Sequence, residues 1–534
     1  MNDMDVPTET TSLPLPDDVN VCHAMIRQLL EAQGKQQRMI DRMEHQLADL
    51  LRRLYGRSSE KIDPAQLPLF GEQVEQLRRE NDIQPPPEQP SPASSTKNTN
   101  GHGRRKLPAD LPRTRVVHDL PESQRACPCC GEMRQEIGQE TSEQLEYEPA
   151  KLSVIEHVRI KYACRACEQS AAESGPQIVT AEKPLMAIEK GLAGPGLIAH
   201  VMVSKYDDHL PLNRLERILK RHGIDISRST MWGWVAQATD PLERLVECMI
   251  TRMLKSKVIW TDDTPVDVQD RDRPKAMRTG RFWVYLGDED HPYTVYSYTP
   301  NRSRAGPMEF LKDWGRDEQR YMQADAFGGY DGIYAGLAGG QVIEVACWAH
   351  ARRKFHDARK SDYARSSQAL AMIRVLYDVE AEAREMTSPE RALLRQKKSQ
   401  PILKEFKTWL DSQQAPQGGV LPKSPMGEAI TYAMNQWEAL QVYISDGDLS
   451  IDNNVAERAL RQIAVGRKNW LFLGGDNGGR AAAIAFSLLA TCRRHNVEPL
   501  SYLRDVLTRI SSWPTSRLAE LLPDRWKPGV SPSN

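Results

Sequence analysis

Lys257-Val-Ile-Trp-Thr-Asp-Asp263 decides how this chain is read, because a run of β-branched and aromatic residues ends in two acids. Val, Ile, Trp and Thr in succession read as a strand. Buried strands rarely finish in carboxylates without a reason. Working outward, Phe282-Trp-Val-Tyr-Leu-Gly287 and Tyr293-Thr-Val-Tyr-Ser-Tyr298 read as two further strands. Asp288-Glu-Asp-His-Pro292 joins them into a hairpin. A helix around residues 308–314 precedes a strand ending at Asp325, and Val342-Ile-Glu-Val-Ala-Cys347 is another buried strand. Residues 350–440 are then nearly all helical in pattern. Three strands followed by alternating helices and strands predict a mixed sheet flanked by helices, within a multidomain α+β or α/β chain.

At 534 residues the chain exceeds a single core, and about three or four domains are expected. The net charge of −1 excludes a globally basic nucleic-acid binder, so any DNA must be held by local basic patches. No basic-then-apolar start reads as a signal peptide. The best apolar run, Ala481 to Cys492, falls well short of the roughly 20 residues a membrane span needs, so a buried core helix is expected there. Near the start, Cys22, Ile26, Leu29, Gln33, Gln36, Ile40, Met43, Leu47, Leu50 and Leu54 alternate steps of four and three. That is a coiled-coil repeat, and residues 20–60 are read as a helix that joins copies of the chain into a homo-oligomer. The alternative is an amphipathic helix packed on its own chain. Residues 83–104, rich in Pro, Ser, Asn and Gly, form a flexible linker. The basic run Arg104-Arg105-Lys106 follows it and reads most simply as solvated charge.

Residues 105–180 are expected to be a small zinc module. Cys127-Pro-Cys-Cys130-Gly131 and Cys164-Arg-Ala-Cys167 form two CxxC knuckles. Four thiolates from two knuckles satisfy a tetrahedral structural zinc, here by Cys127, Cys130, Cys164 and Cys167. Nine cysteines, an odd number, also favour metal binding in a reducing cytoplasm over disulfides. Residues 185–250 read as a helical domain resembling a helix-turn-helix. Amphipathic Leu212–Arg221 is followed by a turn at Gly223 and by a second helix through Met231, capped by Ser227 or Ser229. Arg214, Arg217 and Arg228 offer phosphate contacts there. A plain helical hairpin is the alternative.

Asp262, Asp325 and Glu457 are the candidate catalytic residues. Two strand ends and a helix start can bring three carboxylates to one side of a sheet. That suits two hard cations about 4 Å apart, with Mg²⁺ the natural occupant and Mn²⁺ a substitute. The structural alternatives are a capping box between Asn454 and Glu457 and turn roles for Asp262 and Asp263. His350, Arg352, Arg353, Arg458, Arg461, Arg467 and Lys468 cluster near these acids in sequence and are read as phosphate contacts, with salt bridging to acids as the alternative. Cys347 and His350 form a CxxH that cannot complete a zinc site alone.

Several long motifs, in order, resemble the insertion-sequence-sixty-six family of bacterial transposases. They are Thr261-Asp-Asp-Thr-Pro265, Ala324-Asp-Ala-Phe-Gly-Gly-Tyr330, Cys347-Trp-Ala-His-Ala-Arg-Arg-Lys-Phe355, Ile451-Asp-Asn-Asn-Val-Ala-Glu-Arg-Ala-Leu-Arg461 and Gly466-Arg-Lys-Asn-Trp-Leu-Phe472. Leu54-Tyr-Gly-Arg-Ser-Ser-Glu-Lys61, the CxxC module and Lys205-Tyr206 extend the likeness to almost the whole chain. The resemblance implies an RNase H-like DDE catalytic core over residues 255–480, with a helical insertion at about 350–440 and a C-terminal helical region at 481–534. It places the three acids on Asp262, Asp325 and Glu457. Asp263 stands where the family has glutamate, and is the reserve first ligand. The implied activity is metal-dependent cleavage and strand transfer on double-stranded DNA, by a bacterial, nucleoid-associated enzyme assisted by accessory proteins of the same element. A catalytically inactive, transposase-derived regulator and a structure-selective nuclease are the competing readings.

Overall fold

The computed structural model describes residues 67–83, 161–163, 178–180, 192–270, 276–414 and 419–529, with single positions elsewhere. The chain divides into two units, residues 1–86 with 159–534, and residues 87–158. The second unit lies almost wholly outside the described residues, as do the 83–104 linker and the four cysteines expected to bind zinc. Of the expected zipper stripe only Gln33 and Gln36 are described; both are helical and exposed.

A first helix, α1 (Leu67–Glu80), buries Val74 and Leu77. A two-stranded ribbon follows, β1 (Lys161–Ala163) antiparallel to β2 (Ile178–Thr180). Then come α2 (Pro195–Tyr206), α3 (Leu212–Arg221) and α4 (Arg228–Met253). Ser227 caps α4 by accepting from the Thr230 amide at 3.2 Å, worth about 1 kcal/mol. The second helix expected from the sequence, through Met231, is 26 residues long. It runs through Pro241, whose interior position costs about 3 kcal/mol. Burial of Met231, Trp234, Leu242, Leu245 and Met249 outweighs that, at roughly 1.5–3 kcal/mol each. These helices share one continuous core with the sheet.

The sheet is β3 (Val258–Gln269), β4 (Met277–Leu286), β5 (Thr294–Thr299), β6 (Arg320–Gln323), β7 (Val342–Val345) and β8 (Phe472–Leu473). Its order is β5-β4-β3-β6-β7, with β8 beside the far end of β3. The first three strands are antiparallel neighbours; β6 and β7 run parallel to β3. The expected mixed sheet is therefore present. β3 continues seven residues past Asp262 to Gln269, so Asp262 lies within the strand rather than at its end. Pro265 suggests a break in sequence, yet it is tolerated because β3 pairs on that side only at Val258–Trp260 and Asp267–Val268. The stretch between has an open edge.

Between β7 and the helix that carries Glu457 lie α5 (Trp348–Ala358), α6 (Tyr363–Glu382), α7 (Ser388–Leu394), α8 (Gln400–Gln414) and α9 (Pro425–Asn435). They have their own core around Trp348, Phe355, Leu376 and Phe406. α10 (Asn454–Trp470) then returns to the sheet. Next, α11 (Asp476–Arg494) covers edge strand β5, where Ser487 and Thr491 hydroxyls accept from the Tyr296 and Thr294 amides at 2.8 and 3.1 Å. The apolar run Ala481–Cys492 is thus a buried core helix. No helix among the described residues is long and apolar enough to cross a membrane.

Candidate active site

Parallel register sets Trp260 of β3 opposite Gln323 of β6. Two residues further on, Asp262 and Asp325 leave neighbouring chain segments, where adjacent strands lie about 4.8 Å apart. α10 is drawn to the same place by its first residues. Asn453 Nδ2 donates to the Thr261 carbonyl at 2.8 Å, filling the open edge of β3. The Asn453 amide donates to Cys347 Sγ at 3.2 Å. Just upstream, Gln323 and Ser450 exchange two 2.7 Å hydrogen bonds. At the other end of α10, Arg467 reaches back to Thr264 and to the Pro265 carbonyl. Glu457, in the first turn, is thereby brought near Asp262 of β3, whose carboxyl feels its charge.

The capping-box alternative does not hold for Glu457. The helix begins after Asn453, no side chain caps it, and Asn454 Nδ2 donates to Asp452 at 2.7 Å. Glu457 faces His350 Nε2 at 3.5 Å and Arg353 at 3.9 Å instead. Turn roles for Asp262 and Asp263 fail too, since both sit within β3.

Burial pushes the Asp262 carboxyl up to about 7, helped by the negative charges of Asp325, Asp263 and Glu457 and opposed by a hydrogen bond from the Asp263 amide. Burial also raises Asp325, against the pull of His350 and of Arg302, which stands 3.9 Å away. Asp325 Oδ1 and Glu457 Oε1 are buried without a hydrogen-bond partner. Buried carboxylate oxygens left in that state are costly, and a cation satisfies them. Among the described residues no three acid, histidine or cysteine side chains already stand as a metal cluster.

Asp263 leaves β3 on the other face. It is fully buried and held by Arg281 at 2.8 Å and Arg302 at 2.7 Å. Two guanidiniums saturate it, so Asp263 is a strut and the reserve ligand role is not supported by its surroundings. Arg302 bridges Asp263 and Asp325 while stacking 3.9 Å above the Phe327 ring. Arg302, Asn453 and Gln323 are the site residues that sequence reasoning missed. The repeated Asn of Asp452-Asn-Asn454 was the one visible signal.

The proposed phosphate contacts separate into groups. Arg214, Arg217 and Arg228 are exposed at and beside the α3–α4 turn. His350 and Arg353 flank Glu457, and Arg352 lies on the same helix. Arg458, Arg461 and Lys468 are exposed on α10. Arg467 is tied to β3, as above, and has less to offer a phosphate.

Holding Asp262 ionised in this setting costs folding free energy. Between about pH 4, where an exposed carboxyl titrates, and pH 7 the folded chain keeps a proton that the unfolded chain has lost. Stability therefore falls as pH rises through that window. Asp262→Asn is expected to stabilise the metal-free protein at pH 8 by about 2 kcal/mol and to change nothing near pH 4. Urea melts in EDTA at both pH values check this; equal shifts at the two would refute it.

Fold and site together define an α/β protein with a mixed sheet and a buried, raised carboxyl at Asp262 that feels the charges of Asp325 and Glu457. Residues 190–481 match the family described as Transposase IS66 family, and the chain belongs to it. Residues 124–168 match the zinc-finger binding domain of transposase IS66, 487–523 the IS66 C-terminal element, and 42–116 a segment described as Transposase C of IS166 homeodomain. Uncharacterized protein y4hP of Sinorhizobium fredii is 33% identical over 79% of this chain and 77% of its own length. Uncharacterized protein y4jD of the same organism is 30% identical over 92% and 95% respectively.

Proposed function

We propose that this chain is an active DNA transposase that cleaves phosphodiesters at the ends of its element and joins them to target DNA. What supports the reading is that the charges of Asp325 and Glu457 both act on the buried Asp262 carboxyl, and that Asp325 Oδ1 and Glu457 Oε1 are buried without a hydrogen-bond partner. The sheet order β5-β4-β3-β6-β7, three antiparallel strands and then two parallel ones, supports an RNase H-like core. Oxygen-only ligands of this type fit Mg²⁺ or Mn²⁺. Bound there, such ions lower the pKa of a nucleophilic water and stabilise the leaving oxygen.

The chain's own residues do the rest. Asn453 and Gln323 fix Glu457 and Asp325 against β3. His350 and Arg353 hold Glu457 and present positive charge toward a phosphate. Arg302 orients Asp325. Water attacks phosphorus in line and expels a 3′-hydroxyl, which then attacks target DNA in the same site. Strand transfer of labelled element ends with Mg²⁺ tests this; binding without any cleavage would favour the regulator instead. The DNA is double-stranded, and the zipper would join copies into a homo-oligomer.

The structural zinc is assigned to Cys127, Cys130, Cys164 and Cys167. β1 ends at Ala163, directly before the second CxxC, as a knuckle flanked by a ribbon requires. Cys164→Ser is expected to release the zinc and to leave melting of the sheet core unchanged. Metal analysis of the purified variant decides it: full zinc content would refute the ligand set.

A further inference from the structure

We propose that Leu471 and Phe472 form an apolar wedge that inserts into the base stack of the DNA held along α10. The inference rests on the reading of this chain as a DNA transposase and adds how the duplex is gripped.

α10 presents one exposed face made of Arg458, Arg461, Val465 and Lys468. At 3.6 residues per turn these positions fall in a single stripe. Its three cations have no acidic partner among the described residues, unlike Arg467, which is committed to β3. The stripe begins beside Glu457, so a phosphate backbone that enters the acid cluster meets it next. Charge complementarity selects nucleic acid as the occupant of this face.

The stripe ends abnormally. Leu471 closes the helix at φ 66° and ψ −55°, the strained γ-turn region, and the residue is 64% exposed. Phe472 follows at 45% exposed and Val465 is half exposed. Glycine would serve this backbone better, and a polar residue would serve this surface better. Both costs are borne at one point, which is the pattern of strain kept for function. The projection is rigid: Phe472 pairs with Asp267 of β3, and Arg467 pins the last turn to the same strand. Rigid apolar residues beside a row of cations are what an unstacking wedge requires.

Fourteen residues separate Glu457 from Leu471, about 21 Å of helix, or roughly six base-pair steps at 3.4 Å each. The wedge therefore acts some six pairs from the scissile phosphate.

The test uses the full chain and element-end duplexes with 2-aminopurine placed at successive positions on either side of the cleavage site. Wild type is expected to brighten the probe several-fold at one position, about six pairs away. Leu471→Gly with Phe472→Ser should keep the protein folded, since glycine suits φ 66°, and should bind DNA within about threefold of wild type. It should lose the brightening and cleave at least about tenfold more slowly, and a duplex with an unpaired base built in at that position should restore its cleavage. Binding and cleavage by wild type with no position brightening, or equal brightening by the variant, overturns the wedge while leaving the transposase reading intact. Failure of wild type to bind DNA at all overturns both.

Discussion

Replacing Glu457 with glutamine should abolish DNA cleavage while leaving DNA binding within about twofold. The variant is isosteric, so the α10 start keeps its Asn453 and Gln323 anchors. What disappears is one charge from a site that must gather enough negative charge to hold divalent cations. Losing several kcal/mol of transition-state stabilisation corresponds to a fall of about a thousandfold or more. On the proposed reading the cations of α3, α5 and α10 carry DNA binding, which should hold steady because His350 and Arg353 lose a competing carboxylate. Gel-shift and single-turnover cleavage measured on one preparation separate the two effects. Equal loss of both, or cleavage that survives, would remove Glu457 from the site.

The candidate acids were more legible in the sequence than the elements that place them. Asp262 drew attention because an acid after the run Val258-Ile-Trp-Thr261 is unusual, and Asp325 because it follows a short strand pattern. Their convergence needed two facts no local pattern contains: that β6 is a parallel neighbour of β3, and that α10 returns to the open edge after an excursion of some hundred residues. Pro265 concealed the length of β3, since proline is disfavoured only where its missing N–H would have been paired. The length of α4 was hidden likewise by Pro241, whose penalty is local while the burial that offsets it is tertiary. Arg302 was unreadable: an arginine in a polar loop acquires meaning only when folding sets it between Asp263 and Asp325. The α10 cations illustrate the converse. Arg467 and Lys468 look alike in sequence, but one is bonded to β3 and its neighbour is exposed.

Arg395→Ala, away from Asp262, should be strongly destabilising. Its side chain is 1% exposed and forks onto Glu380 at 2.7 and 2.8 Å. The same guanidinium donates to the carbonyls of Tyr443, Asp446 and Leu449 at 2.8 to 2.9 Å. Truncation leaves a half-buried carboxylate unpaired and three carbonyls unsatisfied, a loss of about 3–5 kcal/mol. Lysine should not rescue it, because a single ammonium cannot reproduce the planar fork. Arg395→Met combined with Glu380→Leu should recover part of the stability, since removing both charges eliminates the uncompensated one while the three carbonyls stay without that donor. Cleavage should not recover in parallel. The segment Arg395 grips runs straight into Ser450 and Asn453, the two residues that fasten α10 to the sheet. A double variant that is stable but slow, measured well below its melting temperature, would show that the helical insertion positions Glu457 as well as stabilising the fold. Full activity in that variant would confine Arg395 to stability alone.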